Sequence, residues 1–298
     1  MITKTKSPTE RPLVVIGANG QIGFELVKSL SSLAPVLAFE RRTLDITQTA
    51  SLHAKLTEVQ PVAIVNAAAF TAVDDAENKP AIAAATNGVA PGVLATIAAD
   101  CGACFVHYST DYVFDGHSRR PYRESDPVAP TNVYGHTKLA GERAVMKTDS
   151  ASIILRTSWV YSNRRNNFLL TLQRLARTRT ALKIVNDQFG CPTPARFIAA
   201  TTAAILRECR LSAKRLQEAR GIYHLAASGE TSWYEFARAI IELTPGCKTV
   251  EIEGIPTAQY PTLARRPAYS ALDSSLLYRS FGLCTPDWHV LLAQSLEA

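Results

Sequence analysis

A chain of 298 residues, 47% apolar and 19% charged, is ordinary for a globular enzyme and can bury a sizeable core as one large α/β domain or a domain with a smaller partner. Its longest apolar runs, such as Ala81–Ala85 and Val93–Ala99, are too short to span a bilayer, and Met1–Glu10 leads into no signal-peptide core. A cytoplasmic protein with a disordered tail over residues 1–10 is expected, with no membrane partner.

The net charge of +6 hints at an anionic partner, but Lys and Arg are dispersed and no motif supports nucleic acid. An acidic cofactor and an acidic small substrate account for the balance equally well. The six cysteines are scattered, and Cys101-Gly102-Ala103-Cys104 has redox spacing. It falls where a helix should end and a strand begin, however, and the negative end of a helix dipole suppresses a thiolate. No His, Cys or Asp cluster has metal-ligand spacing.

Leu13–Ile16 is wholly apolar, as a strand buried on both faces should be. Gly17-Ala18-Asn19-Gly20-Gln21-Ile22-Gly23 follows, and then an amphipathic helix is expected over Phe24–Leu33. Strand, glycine turn and helix together form a phosphate cradle, which makes Gly17, Asn19, Gly20, Gln21, Ile22 and Gly23 cofactor candidates. The spacing is Gly-x-x-Gly-x-x-Gly, not the standard Gly-x-Gly-x-x-Gly.

Val36–Phe39 reads as a second strand that ends in Glu40-Arg41-Arg42. An acid here accepts from ribose hydroxyls, whereas arginines hold a 2′-phosphate, so both NADPH and NADH fit, with NADPH favoured. Asp45-Ile46 is placed beside the adenine. Thr49–Val59 is expected to be a helix and Val62–Val65 a strand running into Asn66-Ala67-Ala68-Ala69. Small residues there let a cofactor lie on the backbone, adding Ala68, Ala69, Phe70 and Thr71 to the candidates. Val73 then leads into an expected Asp74-Asp75 loop, and a helix is expected over Val89–Ala99.

Cys104–His107 reads as a strand ending in Tyr108-Ser109-Thr110-Asp111, and Val133–Thr148 as a helix. On that helix Tyr134 and Lys138 stand four apart, on one face. A neighbouring ammonium lowers a phenol's pKa and suits it to acid–base work. Further on, Ile153–Leu155 and Ile222–Leu225 read as strands, and Phe168–Arg177, Ala195–Cys209 and Trp233–Leu243 as helices before a Pro-rich tail. The βαβα alternation predicts a Rossmann-type, doubly wound parallel sheet with a smaller C-terminal substrate-binding domain. Residues 11–160 and about 180–225 are assigned to the first, and about 161–179 and 226–298 to the second.

Further segments complete a pattern: Val65-Asn66-Ala67-Ala68-Ala69, His107-Tyr108-Ser109-Thr110-Asp111-Tyr112-Val113-Phe114, Asn132-Val133-Tyr134-Gly135, Arg156-Thr157-Ser158-Trp159-Val160-Tyr161, Asn166-Asn167-Phe168, Asp187-Gln188-Phe189-Gly190 and Arg266-Pro267. In this order they make the chain similar to the extended short-chain dehydrogenase/reductase family, and within it to the branch that reduces 4-keto sugar nucleotides. The resemblance implies reduction of dTDP-4-dehydro-L-rhamnose at C4, the last step of dTDP-L-rhamnose synthesis. It implies Tyr134 as general acid, Lys138 as the group that tunes it and holds the nicotinamide ribose, and Thr110 as the donor to the reacting oxygen. Trp159, Asp111 and Val73 would meet the sugar, Arg266 its diphosphate, and Tyr108 the cofactor.

Some relatives dimerise around Mg²⁺ held by glutamates, so a homodimer is possible. Glu25 could be one ligand, but Arg196 stands where another would be needed, which makes Mg²⁺ doubtful. A dehydratase would follow Thr110 with Asp-Glu; here Asp111-Tyr112 follows, which favours simple reduction over elimination. A non-catalytic NADP-binding regulatory subunit is the remaining alternative.

Overall fold

The computed structural model describes residues 11–246 and 250–297, so the expected tail over residues 1–10 and Cys247 lie outside the described residues. Six parallel strands form the central sheet. Five are β1 (Leu13–Ile16), β2 (Val36–Phe39), β3 (Ala63–Asn66), β4 (Cys104–Thr110) and β5 (Ser152–Thr157), and Gly221–His224 closes the edge beside β5. The spatial order β2-β1-β3-β4-β5-(221–224) reverses direction between β1 and β3. Such a switch point opens a crevice at the strands' C-terminal ends, where ligands of doubly wound sheets bind.

Side-chain alternation divides the core into two layers. Leu13 and Val15 face Leu26 and Leu30 of helix α1 (Gln21–Leu30) and Ile198, Ala199 and Ile205 of the Ala195–Glu208 helix. Val14 and Ile16 face Leu52 and Leu56 of helix α2 (Thr49–Val59), together with Leu94 and Ile97. A further apolar cluster gathers Leu169, Leu172, Phe236, Ile240, Trp288 and Leu291 away from the sheet. Ala181–Val185 pairs in parallel with Glu251–Ile255 beside that cluster, so this strand lies apart from the central sheet with which the sequence grouped it. Conversely, Leu277, from the tail, packs into the first sheet layer.

Local chemistry corrects several expected boundaries. Helix α1 begins at Gln21 rather than Phe24, because the chain turns helical directly after Gly20. The expected Asp74-Asp75 loop is the first turn of a Val73–Asn78 helix, where carboxylates complement the helix dipole. The helix expected over Val89–Ala99 is one continuous stretch, Pro80–Asp100. Pro91 offers no N–H to its own helix, and the preceding turn widens into a π-helix over Ala84–Val89. At 21 residues with mean hydropathy 1.5, Pro80–Asp100 is long and apolar enough by length and composition to cross a membrane, although half of its apolar window is buried in this fold. The Pro-rich tail also contains two helices, Ser275–Phe281 and Trp288–Leu296.

The Pro80–Asp100 helix packs tightly on the Val133–Met146 helix. A Cβ on Gly141 would fall 2.1 Å from the Asn87 carbonyl oxygen, and one on Gly92 2.9 Å from the Ala144 methyl. Glycine therefore sets how closely the Tyr134 helix sits against its support. Cys101 and Cys104 are buried free thiols, and burial pushes Cys104 up to about 12, the opposite of an activated pair.

Candidate active site

The glycine loop occupies the switch point. Gly17 has φ +80°, and a Cβ there would lie 2.7 Å from the Ala68 backbone nitrogen; one on Gly23 would lie 2.1 Å from the Gly17 carbonyl oxygen. Gly17 thus makes the turn against β3 and Gly23 lets α1 close onto it, while Gly20 meets only the Gly17 oxygen at 3.2 Å. No side chain caps the N-terminus of α1, and its first turn carries no acid. Unpaired N–H groups beside a bare glycine suit a diphosphate, so these residues fit a dinucleotide. Ile22 is half-buried on the core.

Around the loop the expected contacts are redistributed. The Gln21 side-chain oxygen accepts from Ser162 Oγ at 2.8 Å and Asn167 Nδ2 at 2.9 Å, so it anchors the 162–167 segment and leaves only its backbone facing the loop. Arg165 from that segment donates to the Asn19 carbonyl at 2.9 Å, and Arg164 stacks 3.5 Å over the Phe24 ring. Neither arginine was singled out from sequence. The Asn19 amide reaches Glu40 at 3.3 Å. Exposed Arg41 pairs with Asp45 at 3.4 Å, and Asp45 accepts from the Thr47 backbone and hydroxyl, which hold its carboxyl below the usual range. Ile46 is a core residue instead of a free wall for adenine.

Ala68, Ala69 and Phe70 are half-buried where β3 ends, and Thr71 is exposed. Asn87, from the π turn, clamps Phe70 by accepting from its N–H at 2.8 Å and donating to its carbonyl at 3.0 Å. It also donates to Thr137 Oγ1 at 3.3 Å, and Thr137 in turn donates to the Tyr134 carbonyl at 2.9 Å. One amide so joins the β3 edge to the Tyr134 helix. The only sequence signal for it was a polar residue amid alanines four positions before Pro91.

Thr110 ends β4 and Tyr134 opens the Val133–Met146 helix, which Asn132 caps by accepting from Gly135 N at 2.8 Å. Burial pushes the Tyr134 phenol above its ordinary value, while the nearby Thr110 hydroxyl pulls it down. The Lys138 amine points elsewhere, donating to the Tyr108 carbonyl at 2.6 Å beside His107 Nε2 at 3.4 Å. The expected acidification of Tyr134 by Lys138 is therefore not seen in this structure: burial raises the phenol, and the Lys138 amine is held by β4. Tyr108 contributes its backbone alone, since its hydroxyl lies 2.6 Å from Thr202 inside the core.

Asp111, expected at a sugar hydroxyl, is 2% exposed and accepts from Thr110 Oγ1 at 2.9 Å and Ser158 Oγ at 3.0 Å. Burial raises its carboxyl to about 6. Its place is behind Thr110, where it fixes that hydroxyl. Arg266 is likewise engaged, bonded to Asp74 at 2.5 Å, which also accepts from Ala264 N at 2.9 Å. Val73 is half-buried at the start of that same helix. Glu25 lies 3.9 Å from Lys28, and among the described residues no group of three or more potential metal ligands is assembled.

Trp159 follows β5 with φ +46°, a left-handed conformation that costs a non-glycine residue about 1–3 kcal/mol. Its ring stacks on Trp233 at 3.5 Å between centroids. A Cβ on Gly190 would come 2.4 Å from its Cε2 atom. Gly190→Ala should therefore displace the indole; tenfold or greater loss in kcat/KM with unchanged cofactor affinity is expected from steady-state kinetics and a cofactor titration.

A family model, the RmlD substrate binding domain, matches residues 11–298. The chain is 45% identical to dTDP-4-dehydrorhamnose reductase of Burkholderia thailandensis over 282 residues, 93% of this chain and 95% of that one. The chain belongs to the dTDP-4-dehydrorhamnose reductase family. The fold agrees with solved members of the family. The Clostridium acetobutylicum dTDP-4-dehydrorhamnose reductase superposes with a TM-score of 0.90 at 35% identity, covering 96% of this chain and 98% of the other. The Bacillus anthracis dTDP-4-dehydrorhamnose reductase, solved in complex with NADP, gives 0.88 at 31% identity, with 97% and 99% covered.

Proposed function

We propose that this chain reduces the C4 ketone of dTDP-4-dehydro-L-rhamnose to dTDP-L-rhamnose with NADPH, accepting NADH as well, as the last step of dTDP-rhamnose synthesis. The observation that carries this reading is the placement of Thr110 at the C-terminal end of β4 and of Tyr134 at the start of the Val133–Met146 helix, in a chain of this family with an uncapped glycine cradle at the switch point. The dinucleotide, when bound, supplies the hydride. Gly17, Gly20 and Gly23 would seat its diphosphate, and Ala68, Ala69 and Phe70 its nicotinamide half.

Tyr134 keeps its proton across the neutral range, because burial holds the phenol above its ordinary value, and so acts as the acid that protonates the oxygen formed at C4. Thr110, whose hydroxyl donates to Asp111 in this structure, would turn that proton to the same oxygen when substrate binds. Trp159 would cover the deoxysugar, with Val73 alongside. Arg266, tied to Asp74, would orient the 264–267 segment toward the substrate diphosphate. Residues 11–160 and about 180–225 would serve the cofactor, and the remainder the sugar nucleotide, with Ala181–Val185 transferred to the second group. The residues named for this site all belong to one chain, and a homodimer is compatible with it. Action in the cytoplasm fits this substrate.

The test is a spectrophotometric assay of purified chain with dTDP- and UDP-linked 4-keto sugars against both reduced cofactors. NADPH oxidation that depends on the dTDP-linked 4-keto sugar is expected. Tight cofactor binding without turnover on any keto sugar would instead mark a regulatory subunit.

A further inference from the structure

Lys138 lies 2% exposed, its amine donating to the Tyr108 carbonyl at 2.6 Å and standing 3.4 Å from His107 Nε2. His107 is fully buried, and its other ring nitrogen, Nδ1, is 3.1 Å from Asn66 Nδ2. The orientation of Asn66 is set by a separate bond, in which its Oδ1 accepts from the Ala68 N–H at 3.1 Å. With the amide oxygen so engaged, the amide NH₂ donates to Nδ1, which must be the unprotonated ring nitrogen. The single proton of neutral imidazole then sits on Nε2 and points at the amine. An ammonium there would confront a second donor. A neutral amine can accept that N–H with its lone pair while still donating to Tyr108.

We infer that Asn66 and His107 form a buried relay that presents an N–H to Lys138 and so favours the neutral form of its amine. The catalytic use of this relay rests on the reductase reading above; the tautomer does not. When the Tyr134 O–H bond breaks and its proton passes to the substrate oxygen, the charge on Lys138, one helical turn away, offsets that of the phenolate until water reprotonates it after product leaves. When Lys138 itself loses its proton, the neutral amine accepts the His107 hydrogen bond.

The electrostatics agree with the geometry. Burial brings Lys138 down to about 8 with Glu142 pulling upward, and burial together with Lys138 drives His107 well below its usual range. The groups around the amine are His107 and the Tyr108 carbonyl from β4 and Glu142 from its own helix, which is ion-paired to Arg156 of β5; Tyr134 stands one helical turn away. The Pro80–Asp100 helix contributes uncharged Asn87, through Thr137.

Asn66→Asp is the decisive variant. One carboxylate oxygen can still accept from Ala68, while the other accepts from Nδ1–H, so the imidazole must flip tautomer and offer Nε2 as an acceptor to an ammonium. In ¹⁵N-histidine spectra of the full chain, wild type should show His107 protonated on Nε2, and Asn66→Asp on Nδ1. The Lys138 titration, followed by ¹³C-lysine signals, should rise by about one pH unit or more, tenfold in the protonation ratio. The alkaline limb of kcat/KM should move with it, and placing Asn66→Asp in a His107→Phe background should remove most of the shift. A wild-type His107 protonated on Nδ1 overturns the relay without any variant having to fold, as does a Lys138 titration unmoved by Asn66→Asp. If tautomer and titration change as described while no keto sugar is turned over, the relay stands and the reductase reading falls.

Discussion

Tyr134→Phe should lower turnover by roughly 10²-fold or more while leaving NADPH affinity within a few-fold of wild type. The substitution removes one hydroxyl and keeps the ring, which meets the Tyr112 ring edge-on at 5.8 Å between centroids, so the helix N-terminus should not shift. What is lost is the proton donor. The pH behaviour separates this role from a packing role. With the phenol raised by burial, Tyr134 stays protonated throughout the neutral range and sets no limb there. Lys138, brought down to about 8, loses its charge as pH rises through that value, so the wild-type rate should fall on that side. Pre-steady-state and steady-state kinetics between pH 6 and 10, together with a fluorescence titration of NADPH, check both points. Near-wild-type turnover in Tyr134→Phe would mean that another group donates the proton.

The largest effect on stability is expected at Arg156→Met. Arg156 lies on β5 and meets Glu142 through two parallel bonds, Nε to Oε1 at 2.8 Å and Nη2 to Oε2 at 2.7 Å. Their side chains are 3% and 2% exposed, so neither charge has water to fall back on. Removing the guanidinium strands a carboxylate in the core, and breaking a buried pair in this way costs about 3–5 kcal/mol. Denaturant melts should show that loss, and the double variant Arg156→Met, Glu142→Leu should recover most of it, since an apolar pair of similar volume needs no solvation. The double variant should also lose the upward pull of Glu142 on Lys138, moving the alkaline limb to lower pH. A loss below about 1 kcal/mol in the single variant would place this pair with exposed ones.

Local pattern carried much of this molecule. Thr49–Val59 and Trp233–Leu243 form helices with the ends their sequences indicate, and the apolar runs of β1 and β3 fall on strands buried on both faces. Such segments are legible because period and burial are properties of neighbouring residues. The Gly17–Gly23 spacing was equally informative: a backbone that turns at φ +80° and a helix so close that a Cβ on Gly23 would lie 2.1 Å from a carbonyl oxygen both require a missing Cβ. Where sequence reading faltered, a distant partner had decided the outcome. The helix expected from Val89 extends back to Pro80, because a π turn absorbs the defect at Pro91 and Gly141 makes room for the Asn87 carbonyl.

The same division runs through the site. Sequence alone determined which chemical groups this chain can bring to a reaction: a phenol and an amine one helical turn apart, a hydroxyl at a strand end, and an uncapped glycine turn. Tertiary structure decided what each group is attached to. Asp111 turned inward to Thr110 and Ser158, Arg266 was taken by Asp74, and Lys138 was drawn to the Tyr108 carbonyl and His107 instead of the Tyr134 hydroxyl. The reason is physical. A residue's type and spacing fix its charge and reach, but a buried polar atom must find a partner wherever the fold supplies one, and those partners lie 30 to 192 positions away in the cases of Lys138 and Arg266.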